Sequence, residues 1–259
     1  MVSRTKLART PFGVLDIGSS KMACLIAEPT SNGLVLLGQA MHASEGIRTG
    51  EIVDMDKFSA SVGKTVQAAE RNAGLTIKDI HIVTPGGHPA IQICQSRIEL
   101  SDPVISRRDI RRLATRQSEL RVPDGRRITQ SHRLQYLTDG QRHIQNPNGM
   151  RATQLAADIA VLSQNSLSVD NLSEAIMQNH LQVGHIHHSA AVAGLSCLNE
   201  EERELGAIVL DMGGGTTAIS AYLDNKIIYA NTIAIGGQHI TRDIARVLSL
   251  TITASERLK

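Results

Sequence analysis

The chain has 259 residues, 41% of them hydrophobic and 20% charged, with a net charge of +2. This suits one large or two ordinary soluble domains, and the near-balanced charge gives no sign of a nucleic-acid or membrane partner held by bulk electrostatics. Aromatic residues make up only 2%, with no Trp, three Tyr and two Phe, so the core is aliphatic and there is no stacking platform for single-stranded nucleic acid.

Arg4, Lys6 and Arg9 make the N-terminus basic, but the next apolar segment carries Asp16 and Lys21, charges that a signal peptide's apolar region excludes. Apolar runs such as Ala190 to Leu198 are too short to span a membrane. Cys24, Cys94 and Cys197 form no CxxC pair and read as small buried hydrophobes in a reducing compartment. The expected location is the cytoplasm.

The first informative segment is Val14-Leu15-Asp16-Ile17-Gly18, a short apolar strand that runs into one Asp and then the turn Gly18-Ser19-Ser20-Lys21. Another apolar strand, Met22 to Ala27, follows. From Asp54 to Gly74, Phe58, Val62, Val66, Ala69 and Ala73 share one helical face, and Gly74 suits the C-terminal cap. Ile80 to Thr84 predicts a strand stopped by Pro85-Gly86-Gly87. Ser106 and Asp109 form an acidic capping box for a helix with apolar positions Ile110, Leu113 and Leu120. Leu155 to Leu162 predicts a strand; Leu172 to Ile176 and Ile240 to Leu248 predict helices, the latter after Gly236-Gly237. Helices alternating with strands point to an α/β fold.

The stretch from about Pro85 to Ser163 is rich in Arg and in turn residues, and reads as an inserted subdomain. Its arginines (Arg107, Arg108, Arg111, Arg112, Arg116, Arg121, Arg126, Arg127) form the solvated face of an amphipathic helix and its flanks; without interleaved aromatics they do not make a nucleic-acid site. His185, His187 and His188 lack a Cys or carboxylate at ligand spacing, and His185 and His187 alternate with Ile186 as on a half-exposed strand, so no metal site is expected there.

The first segment recurs. Val209-Leu210-Asp211-Met212-Gly213 repeats it 195 residues later, continues through Gly214, Gly215, Thr216 and Thr217, and enters another apolar strand, Ala218 to Leu223. Strand, small-residue turn, strand is a β-hairpin at each place. Neither glycine turn opens a helix, so the P-loop and dinucleotide readings fail. Consecutive backbone N–H groups in a tight turn can instead form an anion-binding nest, and an Asp at the strand end suits a hydrated Mg²⁺. Two such hairpins could grip a triphosphate from opposite sides.

Leu15 to Lys21 resembles the first phosphate motif of actin-like ATPases, and Asp211 to Thr217 resembles the second. Both are shared by actin, MreB, DnaK-type chaperones and sugar kinases, so they mark a superfamily. Asn199-Glu200-Glu201-Glu202-Arg203-Glu204-Leu205-Gly206, running directly into the second hairpin, is similar to the FtsA family. So are Tyr136, Asp139-Gly140-Gln141, Ile144, Asn146-Pro147 and Gly149-Met150 in the insert. The ending is similar too, in Ile235-Gly236-Gly237, Ile240 to Ala245 and Ser255 to Lys259, and the resemblance extends from Phe12 onward.

The resemblance implies an α/β, actin-like ATPase (ribonuclease H-like) fold with a small inserted α+β subdomain and an incomplete second half. The implied division is 1–84 with 164–205, then 85–163 as the insert, then 206–259. ATP and Mg²⁺ are the implied cofactors, with Asp16 and Asp211 holding the metal through water. Gly18, Ser19, Ser20 and Lys21 would face the phosphates from one side, and Gly213, Gly214, Gly215 and Thr216 from the other. Glu256 and Lys259 would contact the nucleoside, and Gly237 is a further implied cofactor-binding residue. The family polymerises, links FtsZ and later division proteins to the inner membrane on its cytoplasmic face, and takes no nucleic acid.

Three departures qualify those implications. The chain stops at Lys259, where the family continues into the outer subdomain that binds FtsZ and a C-terminal amphipathic helix, so FtsZ and membrane binding are expected to be lost here. Ala218 stands where the family usually has Asp. No Glu-Pro pair precedes the segment around Ala190 to Leu198, so at most weak ATP hydrolysis is expected. The remaining alternatives are a pilus-assembly-type scaffold and an ATPase, kinase or chaperone-like member of the superfamily.

Overall fold

A computed structural model describes residues 10–259, apart from the side chains of Gln117 and Ser118; Arg4, Lys6 and Arg9 lie outside the described residues. The chain opens with an antiparallel meander, β1 (Phe12–Ile17), β2 (Lys21–Thr30) and β3 (Gly33–Ala43), followed by a two-stranded ribbon, β4 (Ile47–Arg48) and β5 (Glu51–Ile52). Helix α1 (Met55–Ala73) begins at Asp54, whose side chain accepts from the Lys57 N–H, and ends at Gly74 in the left-handed conformation. Strand β6 (Asp79–Thr84) then pairs parallel to β1.

The chain next builds a separate sheet. Its strands are β7 (Ala90–Glu99), β8 (Arg126–Thr138), β9 (Gln141–Ile144) and β10 (Gln154–Asn165), ordered β7-β10-β8-β9, with α2 (Arg107–Thr115) against it. The capping box of Ser106 and Asp109 forms as expected. Leu120 does not continue the helix: a 3₁₀ turn at Arg116–Glu119 intervenes, although Leu120 still packs against the insert's core.

After β10 come α3 (Ser166–Met177) and β11 (Gln182–His188), which returns to the first sheet parallel to β6. That sheet has the order β11-β6-β1-β2-β3. Helices α1 and α3 cover one of its faces, where Leu15, Ile17, Met22, Cys24, Ile26, Ile80 and Ile82 are fully buried with Phe58 and Val62. Burying a Leu- or Ile-sized side chain contributes about 1.5–3 kcal/mol each. The insert has its own core around Ile98, Leu113, Leu155, Ile159 and Val161.

The chain then runs through α4 (Ser189–Cys197) and α5 (Glu200–Leu205) into a third sheet, β12 (Ala207–Met212), β13 (Thr217–Leu223) and β14 (Lys226–Ile233). It ends in α6 (Gly237–Leu248) and α7 (Ile252–Leu258). Helix α4 covers one face of the third sheet: Ser220 Oγ donates to the Ala190 carbonyl at 2.9 Å, and the Tyr222 hydroxyl donates to that of Ala191. Of the cysteines, Cys24 is buried, but Cys94 is only half-buried and Cys197 is exposed at the end of α4, so the expectation of three buried thiols holds for one. No described helix is long and apolar enough to cross a membrane.

Candidate functional site

The two hairpins are copies in register as well as in sequence. In the first, Asp16 lies opposite Ala23 and the last pair is Ile17 with Met22. In the second, Asp211 lies opposite Ala218 and the last pair is Met212 with Thr217. Each turn is closed by one backbone bond, Gly18 N–H to Lys21 O at 3.1 Å and Gly213 N–H to Thr216 O at 2.9 Å. The 195-residue offset therefore survives through every pairing. Ala218, at the family's usual Asp position, is fully buried beside Asp211.

The turns meet. A Cβ on Gly214 would overlap Ser20 Oγ, and one on Gly215 would lie 2.7 Å from Ser19 Oγ. Glycine lets the second turn press against these serine side chains, and a larger residue would have to displace them. Ser44 holds the first turn, its N–H donating to Ser20 O at 3.0 Å and its Oγ to Gly18 O at 2.7 Å. The start of α6 holds the second: the N–H groups of Gly237 and Gln238 donate to the carbonyls of Gly213 and Gly214 at 2.9 and 2.8 Å. Gln238 also crosses between the turns, its Nε2 donating to Ser20 Oγ at 2.9 Å.

The charge of Asp211 reaches Asp16. Asp16 is pushed above the usual carboxylate range, first by desolvation among the surrounding protein and then by the Asp211 charge, while Lys21 pulls it back. Like charges in one cleft raise a carboxyl pKa, and a cation placed between them reverses that. His188 lies within reach of the Asp211 charge, fully buried, with Nε2 3.0 Å from Thr232 Oγ1 and Nδ1 without a partner. Burial pulls its pKa down to about 4, against the opposing effect of Asp211.

These residues fit a metal-bound polyphosphate by the chemistry of their donors. Among the described residues, the N–H groups of Ser19, Ser20, Gly214 and Gly215 make no hydrogen bond within the chain, which is what a nest leaves open for an anion. Lys21 supplies a cation at one turn, and two carboxylates match Mg²⁺, which keeps most of its waters and takes its other ligands from phosphate.

Glu256, Lys259 and Gly237 form a third patch. Lys259 Nζ lies 2.8 Å from Glu256 Oε1 and 3.3 Å from the Gly237 carbonyl, while Thr241 Oγ1 donates to Glu256. The bonds from Lys259 and Thr241 hold the Glu256 carboxyl below its ordinary range. This network sits at the start of α6, directly beyond the second turn.

Sequence reasoning missed Gln238 and Ser44, and weighed His188 only as a metal ligand. All three act across long chain separations, and only Gln238, next to the glycine pair, carried any local signal. The histidine grouping also differs from the expected one. His81 joins His185 and His187, with ring centroids 5.3 and 5.8 Å from theirs, on the sheet face opposite α1, whereas His188 points into the core. Among the described residues no group of His, Cys, Asp or Glu could hold a metal ion by itself.

A family profile described as cell division protein FtsA matches residues 208–259, and one described as the SHS2 domain inserted in FtsA matches residues 86–163. The chain is 33% identical over 257 residues to the cell division protein FtsA of Agrobacterium fabrum, covering 95% of this chain and 58% of that protein. It is 27% identical over 247 residues to the Bacillus subtilis protein of that name, covering 95% and 56%. The chain thus spans somewhat over half the length of the curated relatives it matches. Among solved structures, the PilM–PilN type IV pilus biogenesis complex aligns with a TM-score of 0.65 at 16% identity, covering 97% of this chain and 70% of that one. MreB5 of Spiroplasma citri bound to ADP aligns with a TM-score of 0.52 at 13% identity, covering 96% and 61%. At these identities the two structures establish the actin-like fold, and the profiles and curated relatives establish the lineage: the chain belongs to the FtsA family of actin-like cell-division proteins.

Proposed function

We propose that the apposed turns bind Mg²⁺-ATP, and that this chain works as a nucleotide-dependent switch in bacterial cell division. The observation that carries the reading is the meeting of two register-matched turns, each with unpaired N–H groups and each preceded by an Asp. Gly18, Ser19, Ser20 and Lys21 would take the phosphates from one side, with Gly213, Gly214, Gly215 and Thr216 on the other. Asp16 and Asp211 would hold Mg²⁺ through water. Gly237, Glu256 and Lys259 would face the nucleoside. The triphosphate supplies a multivalent anion that both turns can share, and the turns, now in contact, must part to admit it. A ligand can shift that opening only by binding one arrangement better than the other.

The working units of the switch are taken as 1–84 with 164–205, the insert at 85–163, and 206–259. Family membership extends the proposal to the whole-length protein: nucleotide-dependent filaments that connect FtsZ to the cytoplasmic face of the inner membrane. The test is ATP titration of Asp16→Ala and Asp211→Ala with and without Mg²⁺. Each variant is expected to lose about tenfold or more in Mg²⁺-ATP affinity, equivalent to about 1.4 kcal/mol, and clearly less in Mg²⁺-free ATP. Equal losses under both conditions would overturn the metal role.

A further inference from the structure

The short ribbon β4–β5 lies where three parts of the molecule meet. Its turn residues Thr49 and Gly50 both have positive φ, 48° and 84°, a conformation that aims the Gly50 N–H at the first phosphate turn. That N–H donates to Ser19 Oγ at 3.0 Å. A Cβ on Gly50 would lie 3.2 Å from both Thr216 Cγ2 and Gly86 Cα, and a Cβ on Gly86 would overlap the Gly50 carbonyl. Gly50 thus lies against the Ser19 and Thr216 side chains of the two phosphate turns and directly against the Gly86 backbone at the strand-to-insert crossing.

The next residue completes the joint. Glu51 Oε1 accepts from the Gly87 N–H at 2.8 Å, and Glu51 Oε2 accepts from Ser168 Oγ at 2.8 Å. Gly87 belongs to the entry crossing of the insert and Ser168 to the first turn of α3, just past its exit. The two crossings are also tied to each other: the Asn165 N–H donates to Gly87 O at 2.7 Å, and Gln164 Nε2 donates to Gly86 O at 2.7 Å. One carboxylate therefore bridges the two chain connections on which the insert hangs. The same residues Gly50, Glu51, Gly86, Gln164 and Ser168 line, among others, a cavity of about 20 Å³, roughly the space of one water.

We infer that Glu51 is a positioning residue that couples the phosphate turns to the orientation of the insert. The inference rests on the two turns being a phosphate site. A phosphate that accepts from the Ser19 hydroxyl draws toward itself the Oγ to which the Gly50 N–H donates. Movement of Gly50 then presses on Gly86 and carries Glu51 with it, and Glu51 hands that movement to Gly87 and Ser168 together. Bonds to a charged acceptor are worth about twice neutral ones, so this carboxylate is the stiffest link between the ribbon and the insert.

The experiment is amide hydrogen exchange of the full chain with and without Mg²⁺-ATP, beside a direct titration with a fluorescent ATP analogue. In the parent chain, peptides covering 86–91 and 162–168 are expected to change exchange rate by about fivefold or more on nucleotide addition, as local opening is remodelled. Glu51→Ala is expected to bind the analogue within about threefold of the parent, a small free-energy change, yet to exchange fast at these peptides whether or not nucleotide is present. Ser168→Ala removes one of the two bonds and is expected to keep about half of the response; it decides the matter if Glu51→Ala does not fold. A parent chain that binds the analogue without a response at the crossings overturns the coupling. So does a Glu51→Ala chain that keeps the full response. A parent chain that fails the titration overturns the phosphate-site reading itself, and with it the coupling, and the titration reads that failure separately.

Discussion

Leu15 and Leu210 hold the same place in the two hairpins, as do Ile17 and Met212, yet their surroundings are opposite. Leu15 and Ile17 are fully buried, whereas Leu210 is 57% and Met212 77% exposed. The first pair faces α1 and α3; the second pair, with Ile208, lies on the face of the third sheet opposite α4. The turns nonetheless close with the same bond and the same register. Turn geometry is therefore set locally, by a four-residue loop between paired strands, and does not require a core on both faces. What differs is how much stability each hairpin draws from the layer above it.

The largest expected effect tests that difference directly. Leu15→Ala should cost about 3–4 kcal/mol of unfolding free energy, the range for a buried leucine that leaves a cavity. Leu210→Ala should cost within about 0.5 kcal/mol, as for an exposed position. Urea unfolding of both variants gives the answer, and equal losses would mean that the outer face of the third sheet is covered in solution.

Next comes the buried histidine beside the second hairpin. His188 takes its proton only near pH 4 in the folded chain, against about 6.5 when unfolded. The unfolded state thus binds more protons between those values, so stability is full above pH 6.5 and falls as pH drops toward 4. The loss should approach about 3 kcal/mol at the lower end. His188→Gln should flatten that part of the profile measured by chemical denaturation at stepped pH. An unchanged slope would mean that His188 reaches solvent, and that the second hairpin is looser than its hydrogen bonds imply.

The smallest effect lies at the contact of the turns. Gly214→Ala should push the Ser20 hydroxyl off Gln238 and cost about 1 kcal/mol, one hydrogen bond's worth. Gln238→Ala should cost about the same, and the double variant little more than either single one, because both remove one contact. Strict additivity in a double-mutant cycle would show that the two turns are held together by something else.

Much of this was readable from local rules. Asp54 and Gly74 marked the ends of α1 because capping satisfies backbone groups within one turn. Ser106 and Asp109 marked the start of α2 for the same reason. Leu120 misled because helical spacing can continue past the last helical hydrogen bond; the chain tightens into a 3₁₀ turn first. The alternation of His185 and His187 with Ile186 holds on β11, but it says only which residues share a face, not what the neighbouring strand contributes, and β6 contributes His81. Cys197 was expected inside on composition, but it sits at the last turn of α4, where that helix has little left to pack against.

The residues alone determined two hairpins with a carboxylate before each turn, because an apolar strand, an Asp and a run of small residues leave the backbone few other choices within ten positions. They determined the helix caps on the same grounds. Only the tertiary structure decided that Ser19 and Ser20 meet Gly215 and Gly214 and that Gln238 spans the gap. It also decided that Glu51 ties Gly87 to Ser168 and that Leu15 is covered while Leu210 is not. Each of these joins residues about 35 to 220 positions apart, where loop entropy sets no preference for one partner over another and the packing of whole sheets and helices makes the choice.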